Sequence, residues 1–202
     1  MTAIGLLLYA RSRALWPTLA ALVGTTGFAL WAAHLMDAYL DPSRRVPVVA
    51  LAPLMAAAVI GTSLYTASDE LDRTAVRPWW PRRLVHLLGL SAVAAALLPT
   101  AVLGDTLVFG PPAMIRNTLG STGVTAAAAV LFGARLSWLP AFGYVSAVYL
   151  ASGGARGPAV TVWAWPMQPG TQTGAWAAAL VAFAAGGALY VARGARPEGA
   201  RA

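Results

Sequence analysis

The chain has 202 residues, of which 58% are hydrophobic and only 10% are charged, and its mean hydropathy is +0.66. This composition excludes a soluble globular domain, which could not hide so much apolar surface, and indicates that the solvent is a bilayer. Fourteen arginines, with no lysine, outnumber seven acidic residues, and the absence of cysteine excludes disulfides, thiolate metal sites and cysteine nucleophiles.

The N-terminal segment predicts a helix that lies in the membrane interface over residues 4–16. Apolar bulk is combined there with Arg11, Arg13 and Trp16, which is typical of interfacial amphipathic helices. The alternative is that this segment is only the flank of the first membrane span.

Six apolar stretches predict membrane-spanning helices. The first three and the last approach the roughly 20 residues that a spanning helix needs, whereas the fifth is short and could be tilted or re-entrant. The stretches are too uniformly apolar for the alternating strands of an outer-membrane barrel. We therefore predict an all-α fold with one transmembrane domain over residues 1–202. The spans are residues 15–36, 46–65, 84–103, 117–134, 136–151 and 174–192.

The distribution of arginine predicts the orientation, because cytoplasmic loops carry the excess of basic residues. With the N-terminus inside, ten arginines lie on the cytoplasmic side and four lie outside, namely Arg44, Arg45, Arg116 and Arg156. This favours six spans in a bacterial cytoplasmic membrane with both termini in the cytoplasm. A five-span arrangement would place the C-terminal arginines outside. The basic excess then has a topological cause, and no nucleic-acid partner is predicted.

The most polar segment lies between the second and third stretches and predicts a short charged helix over residues 68–77. Ser68 suits an N-cap, with Glu70 and Asp72 in the first turn. Asp69 and Arg73 are four residues apart and can pair on one helical face. The alternative reading is a solvated connection, as runs of charge usually are.

Three ionisable residues share one helical face at the end of the first span. His34, Asp37 and Asp41 are spaced at i, i+3 and i+7, which suggests either metal binding or a proton relay. The alternative is a solvated helix end that pairs with Arg44 or Arg45, since charge at a span end costs far less than charge at its centre.

Two further polar positions stand out. Arg116 and Asn117 open the fourth stretch, where the arginine either faces a cavity on a substrate path or extends outward to the interface. His86, near the start of the third stretch, is expected to be an interfacial or interhelical hydrogen-bond donor. The chain contains no GxxxxGK[ST] loop and only two histidines, so we expect neither an enzyme nor a bound cofactor.

The order of these parts resembles the permease subunit of type 2 ABC exporters, particularly the short, arginine-rich ones of actinomycetes. The Ala/Gly-rich, arginine-only usage also indicates a GC-rich genome. Residues 7–16 correspond to the elbow helix, residues 68–77 to the coupling helix and residues 163–169 to the outer re-entrant region. Two strings, residues 116–123 and residues 163–166, look like segments of small actinomycete ABC membrane proteins.

This resemblance implies a homo- or heterodimer of six-span halves in the bilayer that binds two separate ATPase subunits, with ATP and Mg²⁺ held by those partners. The substrate would be apolar or amphipathic. The coupling residues would be Ser68, Asp69, Glu70, Asp72, Arg73 and Arg77. Two alternatives stay open: a membrane scaffold or assembly subunit that transports nothing, and an intramembrane metal-dependent enzyme that uses the face of His34.

Overall fold

The computed structural model describes residues 14–39, 46–65, 79–103, 109–151 and 157–197. These ranges are helical and contain no strand, which confirms the all-α fold class for this part of the chain. Tight 3₁₀ turns follow three of the helices, at Leu98–Val102, Ala134–Leu136 and Trp165–Met167. The α-helices are α1 Leu15–Tyr39, α2 Val46–Thr62, α3 Trp80–Leu97, α4 Pro111–Phe132, α5 Trp138–Ala151, α6 Pro158–Trp163 and α7 Thr173–Arg193.

Three described helical stretches are long and apolar enough to cross a membrane: Leu15–Leu35, Trp80–Val102 and Thr173–Arg193. Pro47–Thr62 is apolar but shorter. The 14 residues of α5 span only about 21 Å at 1.5 Å per residue, less than the hydrocarbon thickness of a bilayer. Each of the six predicted spans coincides with a described helix, but six membrane crossings stay a prediction.

Two helices begin earlier than the apolar stretches predict. α3 starts at Trp80 and α4 at Pro111, whereas the hydrophobic stretches start at residues 84 and 117. Proline occurs in the first two positions of both helices, where its fixed φ suits a helix and its missing N–H leaves no bond unmade. Both polar extensions therefore belong to the helices, including the turns that carry Arg83 and Arg116.

One end of the bundle, which we call the basic end, brings together the ends of α2, α4 and α7 and the start of α3. Tyr190 of α7 donates a hydrogen bond to the backbone oxygen of Leu64, 3.0 Å away. The backbone N–H of Arg196 donates to Ala129 of α4 at 2.9 Å. The described arginines of this end are Arg82, Arg83, Arg135, Arg193 and Arg196.

The opposite end, which we call the turn end, holds the starts of α2, α4 and α7 together with residues 157–172. This 157–172 segment contains α6 and the turn Trp165–Met167, and it connects α5 to α7. The C-terminal half of α5 also reaches this end, because Tyr149 and Leu150 line the same groove as Pro47 at the start of α2. Helices α2, α4 and α7 therefore run from the turn end to the basic end, and α3 and α5 run in the opposite direction.

The centre of the bundle is α4, which packs most extensively against α7 and α2. The approach of α4 to α7 depends on glycine, because a Cβ on Gly186 would overlap the backbone oxygen of Gly123. Small residues permit this kind of close backbone approach between membrane helices. The tight α4–α7 pair fixes the position of the polar side chains that α4 carries.

Several sequence predictions lie outside the described residues. These are most of the interfacial helix at 4–16, of which Leu15 and Trp16 belong to α1, and the whole charged helix at 68–77. Asp41, Arg44, Arg45 and Arg156 also lie outside, as does the side chain of Asp37.

Candidate functional site

The most polar buried position in the described bundle is on α4 near the turn end. Arg116 is 0% exposed and Asn117 is 1% exposed. The guanidinium of Arg116 thus points into the protein and does not extend outward to the interface, which was one of the two alternatives left open by the sequence. The other alternative is an anionic group that faces Arg116 across a cavity, and the hydrogen bonds of the guanidinium bear on it.

The Arg116 guanidinium binds neutral oxygen atoms in the 157–172 segment. Its Nη1 donates to the backbone oxygen of Pro169 at 2.7 Å, and its Nη2 donates to that of Gln168 at 2.6 Å. Its Nε donates to Oδ1 of the neighbouring Asn117 at 3.1 Å. Three acceptors on two chain segments therefore hold the guanidinium in one orientation.

Asn117 extends this network to a third element. Its Nδ2 donates to the backbone oxygen of Pro166 at 2.8 Å and to that of Val49 in α2 at 2.9 Å. Because Oδ1 accepts from Arg116, both donors and the acceptor of the amide are used. The side chain joins α2, α4 and the 157–172 segment at a single buried point.

An aromatic contact completes the attachment of the 157–172 segment. The indole of Trp165 lies against Gly120, one turn beyond Arg116, where a Cβ would overlap the ring. On its other side Trp165 stacks on Tyr144 of α5, with 6.0 Å between the ring centroids. The Tyr144 hydroxyl donates a short hydrogen bond to the backbone oxygen of Trp163.

The structure therefore brings together the two strings that the sequence had singled out separately. The α4 string supplies Arg116, Asn117 and Gly120, and the string at residues 163–166 supplies Trp165 and the Pro166 carbonyl. Sequence reasoning missed Tyr144 and the carbonyls of residues 168 and 169. The signal for the latter was the proline content of the segment, because prolines leave backbone carbonyls without regular helical partners.

The charge of Arg116 faces no carboxylate within the described structure. Asp37 is the single acidic residue in the described ranges, and its side chain is not described. Backbone and amide dipoles stabilise the guanidinium instead. In return, the guanidinium donates to carbonyls that would otherwise be unpaired in an apolar surrounding.

Further along α4, hydroxyl groups line its buried face. The Thr118 hydroxyl donates a hydrogen bond to the backbone oxygen of Met114, 2.8 Å away in the preceding turn. The Oγ1 atoms of Thr122 and Thr125 are buried without a hydrogen-bond partner among the described residues. The buried face of α4 is thus rich in hydroxyl groups, and α4 is not among the three described stretches that are apolar enough to cross a membrane.

At the basic end, His86 makes the interhelical hydrogen bond expected from the sequence. Its Nε2 lies 3.1 Å from Oγ of Ser63, at the end of α2. Because the Ser63 hydroxyl donates to the backbone oxygen of Ile60 at 2.7 Å, the histidine is the donor in this pair. The contact connects α3 to α2.

The remaining predicted site residues are not brought together in the described part of the chain. His34 is exposed on α1. Within the described residues no three His, Asp or Glu side chains lie close enough to hold a metal ion. The predicted coupling residues Ser68, Asp69, Glu70, Asp72, Arg73 and Arg77 lie outside these ranges.

Comparison of the chain with protein-family models, with curated proteins and with solved structures gives no match. The site is therefore interpreted from its own geometry: α4 holds the 157–172 segment against the turn end of the bundle through buried polar contacts.

Proposed function

We propose that this chain is the membrane-spanning permease subunit of an ATP-driven exporter, which moves an apolar or amphipathic substrate and takes its energy from a separate ATPase subunit. The three long apolar helices are compatible with a membrane protein. In this proposal α1 to α5 and α7 cross the bilayer, and both termini lie in the cytoplasm. A second copy or a homologue completes the transporter.

The observation that carries the proposal is the contrast between the two ends of the bundle. At the turn end, the helix–turn 157–172 segment is fixed by Arg116 and Asn117. At the basic end lie Tyr65 and Trp79, the two residues that flank the charged segment 66–78. A fixed outer segment opposite a charged segment between the second and third helices is the arrangement that the resemblance implies.

The orientation follows from charge. Five described arginines lie at the basic end and one, Arg116, lies at the turn end, where it is satisfied internally. The positive-inside rule therefore assigns the basic end to the cytoplasm. In this proposal residues 68–77, which the sequence predicts to be a charged helix, face the compartment that holds ATP, where a soluble ATPase can bind them.

The choice of an apolar or amphipathic substrate is supported by a groove at the turn end. The groove has a volume of about 380 Å³ and separates α2 from α5 beside the 157–172 segment. Its lining is almost entirely apolar and includes Ala50, Leu51, Val145, Leu150 and Met167. Such a surface favours hydrocarbon over a charged solute.

The test is assembly and ATPase coupling. The tagged chain is purified in nanodiscs from the membranes of its own host, any ATP-binding protein that accompanies it is identified, and ATP hydrolysis is assayed. We expect the two proteins to co-purify, and the triple reversal Asp69→Lys, Glu70→Lys, Asp72→Lys to abolish assembly or substrate-stimulated hydrolysis. Glu198→Lys, in the C-terminal tail, is the control and should leave both unchanged. Absence of any ATP-binding partner, or a triple variant with normal coupling, would contradict the proposal and favour the scaffold alternative.

A further inference from the structure

A second apolar groove runs between α3 and α7 towards the basic end. It has a volume of about 230 Å³, and both helices contribute its walls. Leucines of α3 form one wall, and Phe183 together with small residues of α7 forms the other. The lining includes Leu84, Leu88, Phe183, Ala184, Ala188 and Val191. Its volume and its apolar lining suit a single hydrocarbon chain lying along the helices.

Arg83 lies at the basic end of this groove and is 9% exposed. This residue precedes Leu84 of the groove wall, and its guanidinium carbon lies 2.7 Å from where a Cβ on Gly194 would be. Gly194 is the C-cap of α7 and has φ +74°, a backbone conformation that favours glycine, and a Cβ there would push the flexible end of Arg83 aside. The Arg83 guanidinium therefore lies against the C-terminal end of α7, close to the start of α3.

Further basic and aromatic side chains surround this point. Arg193 precedes Gly194 and is exposed, and Arg82 stacks over the ring of Trp79 with 4.2 Å between the guanidinium carbon and the ring centroid. Trp80 is 54% exposed. None of the residues described at this end is acidic. Arginine beside tryptophan is typical of the level of lipid headgroups.

We propose that the α3–α7 groove and its arginines form a binding site for one anionic phospholipid. The phosphate contacts Arg83 and Arg193, and one acyl chain lies in the groove below them. Basic pockets between membrane helices on the cytoplasmic side bind anionic headgroups in this way. The inference depends on the membrane placement in the proposed function and is independent of transport.

The apolar surface of the groove favours a lipid over a soluble anion as the ligand. Exposed apolar side chains continue directly from the arginines into the next helical turns, with Val85 70% exposed and Leu88 45% exposed. An acidic protein or a free phosphate ion would pair with the arginines but would leave these apolar surfaces and the groove uncovered. A phospholipid satisfies the charge and the apolar surface together.

The test is lipid binding to the purified full chain in detergent, followed by native mass spectrometry. Dioleoylphosphatidylglycerol and dioleoylphosphatidylcholine carry the same acyl chains and differ in headgroup charge. We expect the phosphatidylglycerol to bind about tenfold more tightly, since two arginines near a headgroup each contribute several-fold. Arg83→Ala should weaken its binding about fivefold, and Arg83→Lys should recover most of the loss.

Two variants and one competitor make the result specific. Ala188→Phe fills the groove without changing charge and should weaken the binding of both lipids, whereas Arg135→Ala, beyond the end of α4, should have no effect. Inorganic phosphate should not displace the bound lipid. Equal affinity for the two lipids, normal binding by Ala188→Phe, displacement by inorganic phosphate, or an equal loss in Arg135→Ala would each overturn the site. A chain that binds phosphatidylglycerol but no ATPase would refute only the proposed function.

Discussion

Arg116 of α4 donates a hydrogen bond of 2.6 Å to the backbone oxygen of Gln168, 52 residues further along the chain. This contact, with its neighbour to Pro169, fixes a helix–turn segment across the turn end of the bundle. The arginine serves as an internal hydrogen-bond donor, and the described residues offer it no carboxylate.

The first prediction concerns the removal of this donor. Arg116→Ala leaves one buried and two part-buried acceptors without this donor, and we expect it to lower the free energy of unfolding by about 2–4 kcal/mol. Arg193→Ala, which removes an exposed arginine at the other end, should change it by less than about 1 kcal/mol. Thermal unfolding of both variants in the same detergent measures the difference. Equal stability of the two variants would show that the network contributes nothing.

Asn117→Asp separates hydrogen bonding from charge. The carboxylate has the same shape and would lie beside the Arg116 guanidinium, but it cannot donate to the carbonyls of Val49 and Pro166. Because two buried acceptors lose their donor, we expect a destabilisation of about 1–3 kcal/mol. Chemical denaturation in detergent gives the value. A more stable variant would contradict this expectation. It would show that a carboxylate beside Arg116 stabilises the bundle by more than the loss of two hydrogen bonds destabilises it.

Gly186→Ala tests the close approach of α4 and α7. The added methyl group overlaps the Gly123 backbone oxygen, so the helices must separate, at a cost of about 1–3 kcal/mol. Gly89→Ala in α3 is the matched control, because nothing lies within 4 Å of its new Cβ. The control should be neutral or stabilised by up to about 1 kcal/mol. Comparable unfolding midpoints for both variants would argue against tight packing at Gly186.

The Ser63–His86 hydrogen bond predicts a measurable coupling between α2 and α3. A double-mutant cycle with Ser63→Ala and His86→Phe should give about 0.5–1.5 kcal/mol, the range found for hydrogen bonds between membrane helices. The control cycle combines His86→Phe with Ser91→Ala. The Ser91 hydroxyl donates a hydrogen bond within its own helix, to the backbone oxygen of Leu87 at 2.7 Å. A coupling energy of the same size in both cycles would contradict the hydrogen bond between Ser63 and His86.

The length and composition of the apolar stretches predicted the positions of the described long helices well, because an uninterrupted apolar run of this length is typical of a buried or membrane-spanning helix. They failed where polar residues extend a helix, as at the start of α4, since proline preferences and tertiary contacts decide those boundaries. The strings around Arg116 and Trp165 were recognisable as unusual. Their contact was not predictable, because a pairing between residues about fifty positions apart leaves no local pattern.

Arg116 shows the same limit for the site. The sequence placed a cation near a boundary and left its direction open, since both burial and exposure are common there. The decision depends on carbonyl groups of Gln168 and Pro169, and a backbone acceptor is present at every position of a chain. His86 was easier, because a polar ring near the start of an apolar helix commonly bonds to a neighbouring helix.

The central feature of the proposed function is a bundle that spans the membrane with its turn end outside and its basic end in the cytoplasm. The natural chain has no cysteine, so single cysteines can be placed without background. Thr171→Cys lies at the turn end and Arg135→Cys at the basic end, and both positions are exposed. With a membrane-impermeant maleimide, we predict labelling at 171 in intact cells and at 135 only after lysis. Labelling of both positions in intact cells, or the reverse pattern, would contradict the account.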